Sequence, residues 1–186
     1  MLKIAESAVM LGLATALSMV KLFDLPAGGS VTVFSMLPIL IIAYRYGVGF
    51  GIGVGSLYGV IQMILGMNTL SYATNAWAAV CIILFDYVVA FASLSMGGAF
   101  RKLKCQPLGF SIGMVLGCAM RFICHFITGV TVWSAYAEDM NVALYSLIYN
   151  GSYMLPESLV TVAVGVVVAS VLDLRSESLR PLRKTK

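Results

Sequence analysis

The chain has 186 residues, of which 60% are hydrophobic and only 11% charged, and its mean hydropathy is +0.96. A soluble domain carries about 25% charged residues, so this sequence lacks the polar surface to cover a water-facing body and belongs in a bilayer. At about 20 apolar residues per crossing, the length allows at most about six or seven spans and leaves no room for a separate nucleotide-binding domain. The net charge of +4 comes from basic residues at run ends and in the tail rather than along one face interleaved with aromatics, which argues against nucleic acid as a partner.

Apolar runs occur at about 4–23, 33–45, 48–66, 76–98, 107–131 and 146–172. The first reaches Lys21 without a small-residue cleavage site and reads as a retained span rather than a signal peptide. It carries a stripe of small residues at Ala8, Gly12 and Ala16, which lets a partner helix come close. The second run is short, and Pro38 suggests tilt, an early start in the preceding loop, or a break. The third holds Gly47, Gly51, Gly55 and Gly59 at four-residue spacing, with Gly49 and Gly53 beside them, a pattern expected to pack inside the bundle. The predicted fold class is an all-α integral membrane protein, one six-helix transmembrane bundle over residues 1–186.

Lys and Arg counts orient that bundle. Lys3, Arg45, the cluster Arg101, Lys102 and Lys104, and the tail residues Arg175, Arg180, Arg183, Lys184 and Lys186 fall on one side of a six-span arrangement. The other side has Lys21 with Asp24, Glu138 and Asp139. By the positive-inside rule both termini are cytoplasmic, and the loops at about 24–32, 67–75 and 132–145 face outward. Cys81, Cys105, Cys118 and Cys124 show no CxxC spacing and read as small apolar packing residues, so no metal site is expected.

Ionisable residues within the runs cost about 2.5–3.5 kcal/mol each at mid-bilayer and require a partner or a purpose. Four stand out: Asp86, Arg121, His125 and Glu157. At 1.5 Å per residue, Arg121 and His125 lie about 21 and 27 Å from the cytoplasmic start of their helix, and Asp86 about 15 Å from the outer start of its own. Arg121 and His125 share a face. An Asp86–Arg121 pair is therefore plausible, either to fix helix register or with the acid turned to a ligand.

Aromatic and amide groups gather on the same outer side. Trp133, Tyr136, Tyr145, Tyr149, Asn150 and Tyr153 flank the last outward loop, and Tyr72 and Trp77 the one before. Tyr72, Trp77 and Tyr136 suit interfacial anchors. Asn150, Tyr153 and Glu157 share a helical face, whereas Tyr145 lies nearly opposite and would have to precede the regular helix to join them. An outward-open interior lined by Trp, Tyr, His, Asn and one acid suits a small aromatic cation.

The stretches RFICHFITGVTVWSAYA and LYSLIYNGSYMLPES, spanning Arg121 to Glu157, resemble the thiamine-specific S-components of energy-coupling-factor (ECF) vitamin transporters. The likeness extends to ESAVMLGLA, FSMLPILIIAYRYG, LYGVIQMILG and ILFDYVVAF. The resemblance implies a membrane subunit that captures thiamine on the outer face of a prokaryotic cell membrane, without a cofactor or ATPase of its own. A separate transmembrane coupling subunit and two ATPases would energise it. By position, it further implies ligand contacts from Asp86, Tyr87, His125, Trp133, Tyr145 and Asn150, with Tyr72, Trp77, Tyr149 and Glu157 as further candidates. Ala8, Gly12 and Ala16 would dock on the coupling subunit. The first outward loop, LPAGGSVTV, has no aromatic before Phe34, unlike family members that carry a lid Trp there.

Other readings are an S-component for another small aromatic vitamin or cation, a membrane-embedded hydrolase using His125 with Asp86 or Glu157, and a self-sufficient ion-coupled carrier. The hydrolase reading meets a sequence with one His and without HExxH, GxGD or GxSxG. The carrier reading meets one without a convincing internal repeat, although Pro38 and Pro156 could each break a helix.

Overall fold

A computed structural model describes residues 1–25, 29–176 and 180–182. The centre of the first outward loop and the tail residues Arg183, Lys184 and Lys186 lie outside the described residues. Helix α1 (Leu2–Met19) leads into a hairpin of β1 (Lys21–Asp24) and β2 (Ser30–Thr32), antiparallel with Phe23 opposite Val31. Then come α2 (Leu37–Tyr46), α3 (Val48–Leu65), a 3-10 turn at Met67–Tyr72, and α4 (Ala76–Gly98). Helices α5 (Gln106–Thr131) and α6 (Val142–Val171) follow, joined through a 3-10 turn at Ser134–Ala137. A second hairpin pairs β3 (Leu172–Asp173) with β4 (Arg180–Pro181).

Five of these helices, α1 and α3–α6, are long and apolar enough to cross a membrane, which makes this a multi-pass membrane protein. The second run differs from expectation. Its helix starts four residues late, with Pro38 in the first turn where a missing N–H costs nothing, after a turn in which Phe34 takes φ 41. At ten residues α2 spans about 15 Å, half a hydrocarbon core. Every residue from Leu37 to Arg45 is buried, as expected of a helix apolar on all sides. Gly47, at φ +93, then lets the chain reverse directly into α3. The hairpins also depart from an all-α reading: strands of two to four residues carry no usable periodicity.

Small residues set the packing distances. A Cβ on Gly55 would stand 2.6 Å from the Phe91 carbonyl oxygen, and one on Gly59 2.7 Å from that of Tyr87, so α3 lies backbone to backbone against α4. A Cβ on Gly51 would meet Ala43 at 2.8 Å. Gly51, Gly55 and Gly59 are interior, as their spacing suggested, whereas Gly49 and Gly53 beside them are exposed, with nothing within 4 Å of an added Cβ. Gly12 contrasts with the interior glycines: nothing lies within 4 Å of an added Cβ, and Ala8 and Ala16 are exposed on the same face.

The two ends of the bundle differ in chemistry. At one end Arg45 pairs with Glu6 of α1 at 2.5 Å and donates to the Leu174 carbonyl at 3.1 Å. Arg101 donates to the Arg45 carbonyl at 2.8 Å, and Arg175 to the Tyr44 hydroxyl at 2.7 Å. The opposite end opens into a cavity beneath the first hairpin and the two 3-10 turns.

Candidate ligand-binding site

The cavity has a volume of about 660 Å³, within the range of small-molecule sites. Its walls come from α3, α4, α5 and α6, with the end of α1 and the β1–β2 hairpin at the rim.

Asp86, 9% exposed, is the hub of one wall. It sits in a π-helical turn, Ile82–Val88, within α4. The wider winding reduces the angle between neighbouring side chains, so Asp86 and Tyr87 both line the cavity. Thr128 donates to Asp86 Oδ1, His125 Nδ1 lies 3.1 Å from the same oxygen, and Trp133 Nε1 donates to Oδ2 at 3.3 Å. Since a carboxylate only accepts, His125 carries its proton on Nδ1. Its Nε2 is buried and has no hydrogen-bond partner among the described residues, so it is available as an acceptor. The Tyr87 hydroxyl lies 3.2 Å from the Gly66 carbonyl and 3.1 Å from Thr69 Oγ1, holding the Met67–Tyr72 turn at the mouth. That turn sets Tyr72 against Trp133 with ring centroids 5.5 Å apart, and Tyr136 joins Trp133 at 5.7 Å.

Helix α6 supplies the facing wall. Asn150 donates through Nδ2 to the Ser146 carbonyl at 2.9 Å and accepts through Oδ1 from Tyr153 at 2.9 Å. Asn150 Nδ2 also reaches the His125 carbonyl at 3.2 Å, which ties this wall to α5. Tyr145 stacks on Tyr149 at 5.7 Å, and Tyr149 meets Tyr153 edge-on at 6.0 Å. Tyr145 is thus inside the regular helix, whose start at Val142 is capped by the Asn141 side chain. It shares the cavity with Asn150 because the opening is wide enough for an arc of about 140° of one helix to line it.

At the deep end, Arg121 pairs with Glu157 at 3.1 Å rather than with Asp86. The two residues are 8% and 2% exposed. Glu157 accepts from Thr32 at 2.5 Å, with Ser35 Oγ at 3.5 Å, and the guanidinium lies 4.6 Å over the Phe91 ring. Asp86 is therefore left without an Arg or Lys partner, its donors being Thr128, His125 and Trp133.

All the sequence-derived candidates except Trp77 line this cavity. Trp77 is 74% exposed and faces outward from the bundle, where an interfacial anchor belongs. Sequence reasoning missed Thr128, Ser146, Thr32 and Ser35. Thr128 carried a signal, lying three residues after His125 on one face; the loop hydroxyls of Thr32 and Ser35 carried none.

The family model for thiamine transporter proteins (Thia_YuaJ) matches residues 4–175. The chain belongs to this family. It is 30% identical to the thiamine transporter ThiT of Bacillus subtilis (strain 168), over 86% of both chains. The identity to ThiT of Lacticaseibacillus paracasei is 28%, over 74% of this chain and 72% of that one. The fold matches that of ThiT from Listeria monocytogenes with a TM-score of 0.74 at 23% identity, covering 90% of this chain and 92% of the other. As a member of the thiamine transporter protein family, the chain is a transport protein rather than an enzyme, which removes the hydrolase reading.

Proposed function

We propose that the whole chain forms one six-span unit that captures thiamine in this cavity, at the outer face of the cell membrane of a prokaryote. In this reading it is the S-component of an ECF transporter, and a separate coupling subunit with two ATPases drives uptake. The observation that carries the substrate is the Asp86 hub: a buried carboxylate with no Arg or Lys partner, beside Trp133 and Tyr72, suits an aromatic cation. His125 Nε2 accepts from the ligand, and Asn150, Tyr145 and Tyr149 close the opposite side. Tyr87 acts through the turn it holds, and Glu157 through Arg121.

The meeting of Arg45, Arg101 and Arg175 at the end away from the cavity supports cytoplasmic termini. Helix α2, with the β2 segment above it, makes the sixth crossing inside the ring of longer helices. The face bearing Ala8, Gly12 and Ala16 is the docking surface for the coupling subunit.

The sequence contains two tryptophans, which makes the test direct. Thiamine should quench intrinsic fluorescence saturably in detergent-solubilised protein. The quench should persist in Trp77→Phe and disappear in Trp133→Phe. Folded protein that shows neither a fluorescence nor a calorimetric response to saturating thiamine would refute the substrate assignment.

A further inference from the structure

At the end of the bundle away from the cavity, basic residues collect around the loop between α4 and α5. Arg101 donates to the Arg45 carbonyl at 2.8 Å, and Arg175 to the Tyr44 hydroxyl at 2.7 Å and to the Leu103 carbonyl. Both guanidiniums are thus fixed by neutral acceptors, and neither is ion-paired among the described residues. Lys102 and Lys104, in the same loop, are exposed. The acids at this end are engaged elsewhere: Glu6 pairs with Arg45, and Asp173 accepts from the backbone N–H of Arg175 at 3.0 Å. We infer that this cluster binds the phosphodiester headgroup of an anionic phospholipid in the leaflet away from the cavity, with Arg101 and Arg175 as its fixed donors and Lys102 and Lys104 as its adaptable ones. Lipid capture there is independent of what the cavity binds.

A carbonyl or hydroxyl oxygen orders a guanidinium without neutralising it. Arg101 and Arg175 therefore keep their full charge while having already lost much of their side-chain freedom, which lowers the cost of gripping a further ligand. The planar fork of each matches phosphate oxygens. A lipid rather than a soluble anion follows from the surface beside the cluster. Leu108, Ile112, Val115 and Ala119 are exposed on one face of α5, within an arc of about 60° at 3.6 residues per turn. From Leu108 to Ala119 this apolar strip runs about 16 Å, the depth of one hydrocarbon leaflet. An acyl chain laid along it brings its headgroup to the level of Lys104 and Lys102, just before the helix. Charge then separates the lipid classes. The phosphate of phosphatidylcholine is offset by its own choline cation, whereas that of phosphatidylglycerol is not, and each nearby Lys or Arg favours an anionic headgroup by about fivefold.

Native mass spectrometry of the delipidated full chain, offered equimolar dioleoylphosphatidylglycerol and dioleoylphosphatidylcholine, reads the preference directly. Phosphatidylglycerol should be retained at least about tenfold over phosphatidylcholine, and millimolar inorganic phosphate should not displace it. Equal retention of the two lipids would overturn the inference; displacement by phosphate would assign the cluster to a soluble anion and overturn it as well. Lys102→Gln/Lys104→Gln alters exposed side chains that make no hydrogen bond or ion pair among the described residues, and should lower the preference by about fivefold or more. Arg101→Gln/Arg175→Gln should lower it at least as far. Lys3→Gln, a basic residue at the same end but outside the loop, should change it by less than about twofold. An unchanged preference in the lysine variant would overturn the inference, and so would an equal loss in Lys3→Gln, which would point to a diffuse field rather than a site. If the arginine variant does not fold, the lysine variant decides. A lysine variant that keeps its lipid preference but no longer co-purifies with the coupling subunit would reassign the cluster to an acidic protein surface.

Discussion

Asp86→Asn isolates the charge at the centre of the site. The substitution keeps the side-chain shape and one acceptor oxygen, which can still serve His125 Nδ1 and Thr128. It places an amide NH₂ where Oδ2 now accepts from Trp133 Nε1, so one hydrogen bond worth about 1 kcal/mol is lost for any ligand that needs the ring oriented. The larger effect is electrostatic. A unit charge about 5 Å from the carboxylate, at an effective dielectric of about 20, is stabilised by about 3 kcal/mol. Thiamine should therefore bind about 100-fold or more weakly, whereas the uncharged isostere 3-deazathiamine should lose less than about tenfold. Calorimetric titration of both ligands into both proteins reads the difference directly. Equal losses for the two ligands would show that the carboxylate acts through geometry alone, and would refute the cation argument. The melting temperature of the ligand-free variant gives an independent check. Because Glu157 is the partner of Arg121, removing the Asp86 charge strands no buried cation and should lower stability only modestly.

Trp133→Ala should weaken thiamine binding by about 2 kcal/mol or more, from lost cation–π contact and apolar burial, while Trp77→Ala should change it little; the reverse ranking by calorimetry would move the site to the preceding loop. Arg121→Met strands a buried carboxylate and should destabilise the protein by about 3–5 kcal/mol in thermal unfolding, most of it recovered in Arg121→Met/Glu157→Gln. Ala8→Trp or Gly12→Trp should abolish uptake and co-purification with the coupling subunit while leaving thiamine binding intact, whereas Gly55→Trp should lose binding and uptake together. Loss of binding in Gly12→Trp, or its unchanged co-purification, would refute the docking assignment.

How far the sequence could be read depended on whether a feature was local. The long apolar runs, the interior glycine stripe of α3 and the shared face of Arg121 and His125 follow from helical period alone and appear as such in the structure. The partner of Arg121 did not follow. Axial depth along two helices leaves their rotation free, and the structure turns Arg121 toward α6 and Glu157 while Asp86 turns toward His125 and Thr128. The π-helical turn that brings Asp86 and Tyr87 to one cavity has no signature in ILFDYVVAF, and it is also what defeats a 100° angular argument there. For Tyr145 the helical angles alone require it to precede the regular helix if it is to share a site with Asn150; the width of the cavity, which no angle reveals, lets it line the site from within the helix. The short β1–β2 hairpin and its Thr32–Glu157 contact depend on side chains 125 positions apart, beyond any local pattern.

The bundle is closed at one end by backbone and open at the other because of side chains. In the half away from the cavity, an added Cβ on Gly113 would stand 2.5 Å from the Gly97 carbonyl, one on Gly109 2.6 Å from that of Phe100, and one on Gly98 would meet that of Ala43. Contacts of this kind leave no rotamer that could move aside and make a path. In the other half α3 and α4 still meet backbone to backbone at Gly59, but Tyr58, Tyr149, Tyr153, Trp133 and the two polar hubs surround open space, which is the cavity. A ligand lodged beside Asp86 therefore meets the buried α2 helix below it, and passing further requires that helix to be unpacked or the subunit to be displaced by an outside agent. In the proposed reading that agent is the coupling subunit, seated on the face of α1 where Gly12 has open space beside it; the far end of α1, at Ser18, is tied to Gln62 on the cavity wall at 2.9 Å. In the proposed reading, capture at the outer end and dependence on a partner for release would be two consequences of the same packing asymmetry.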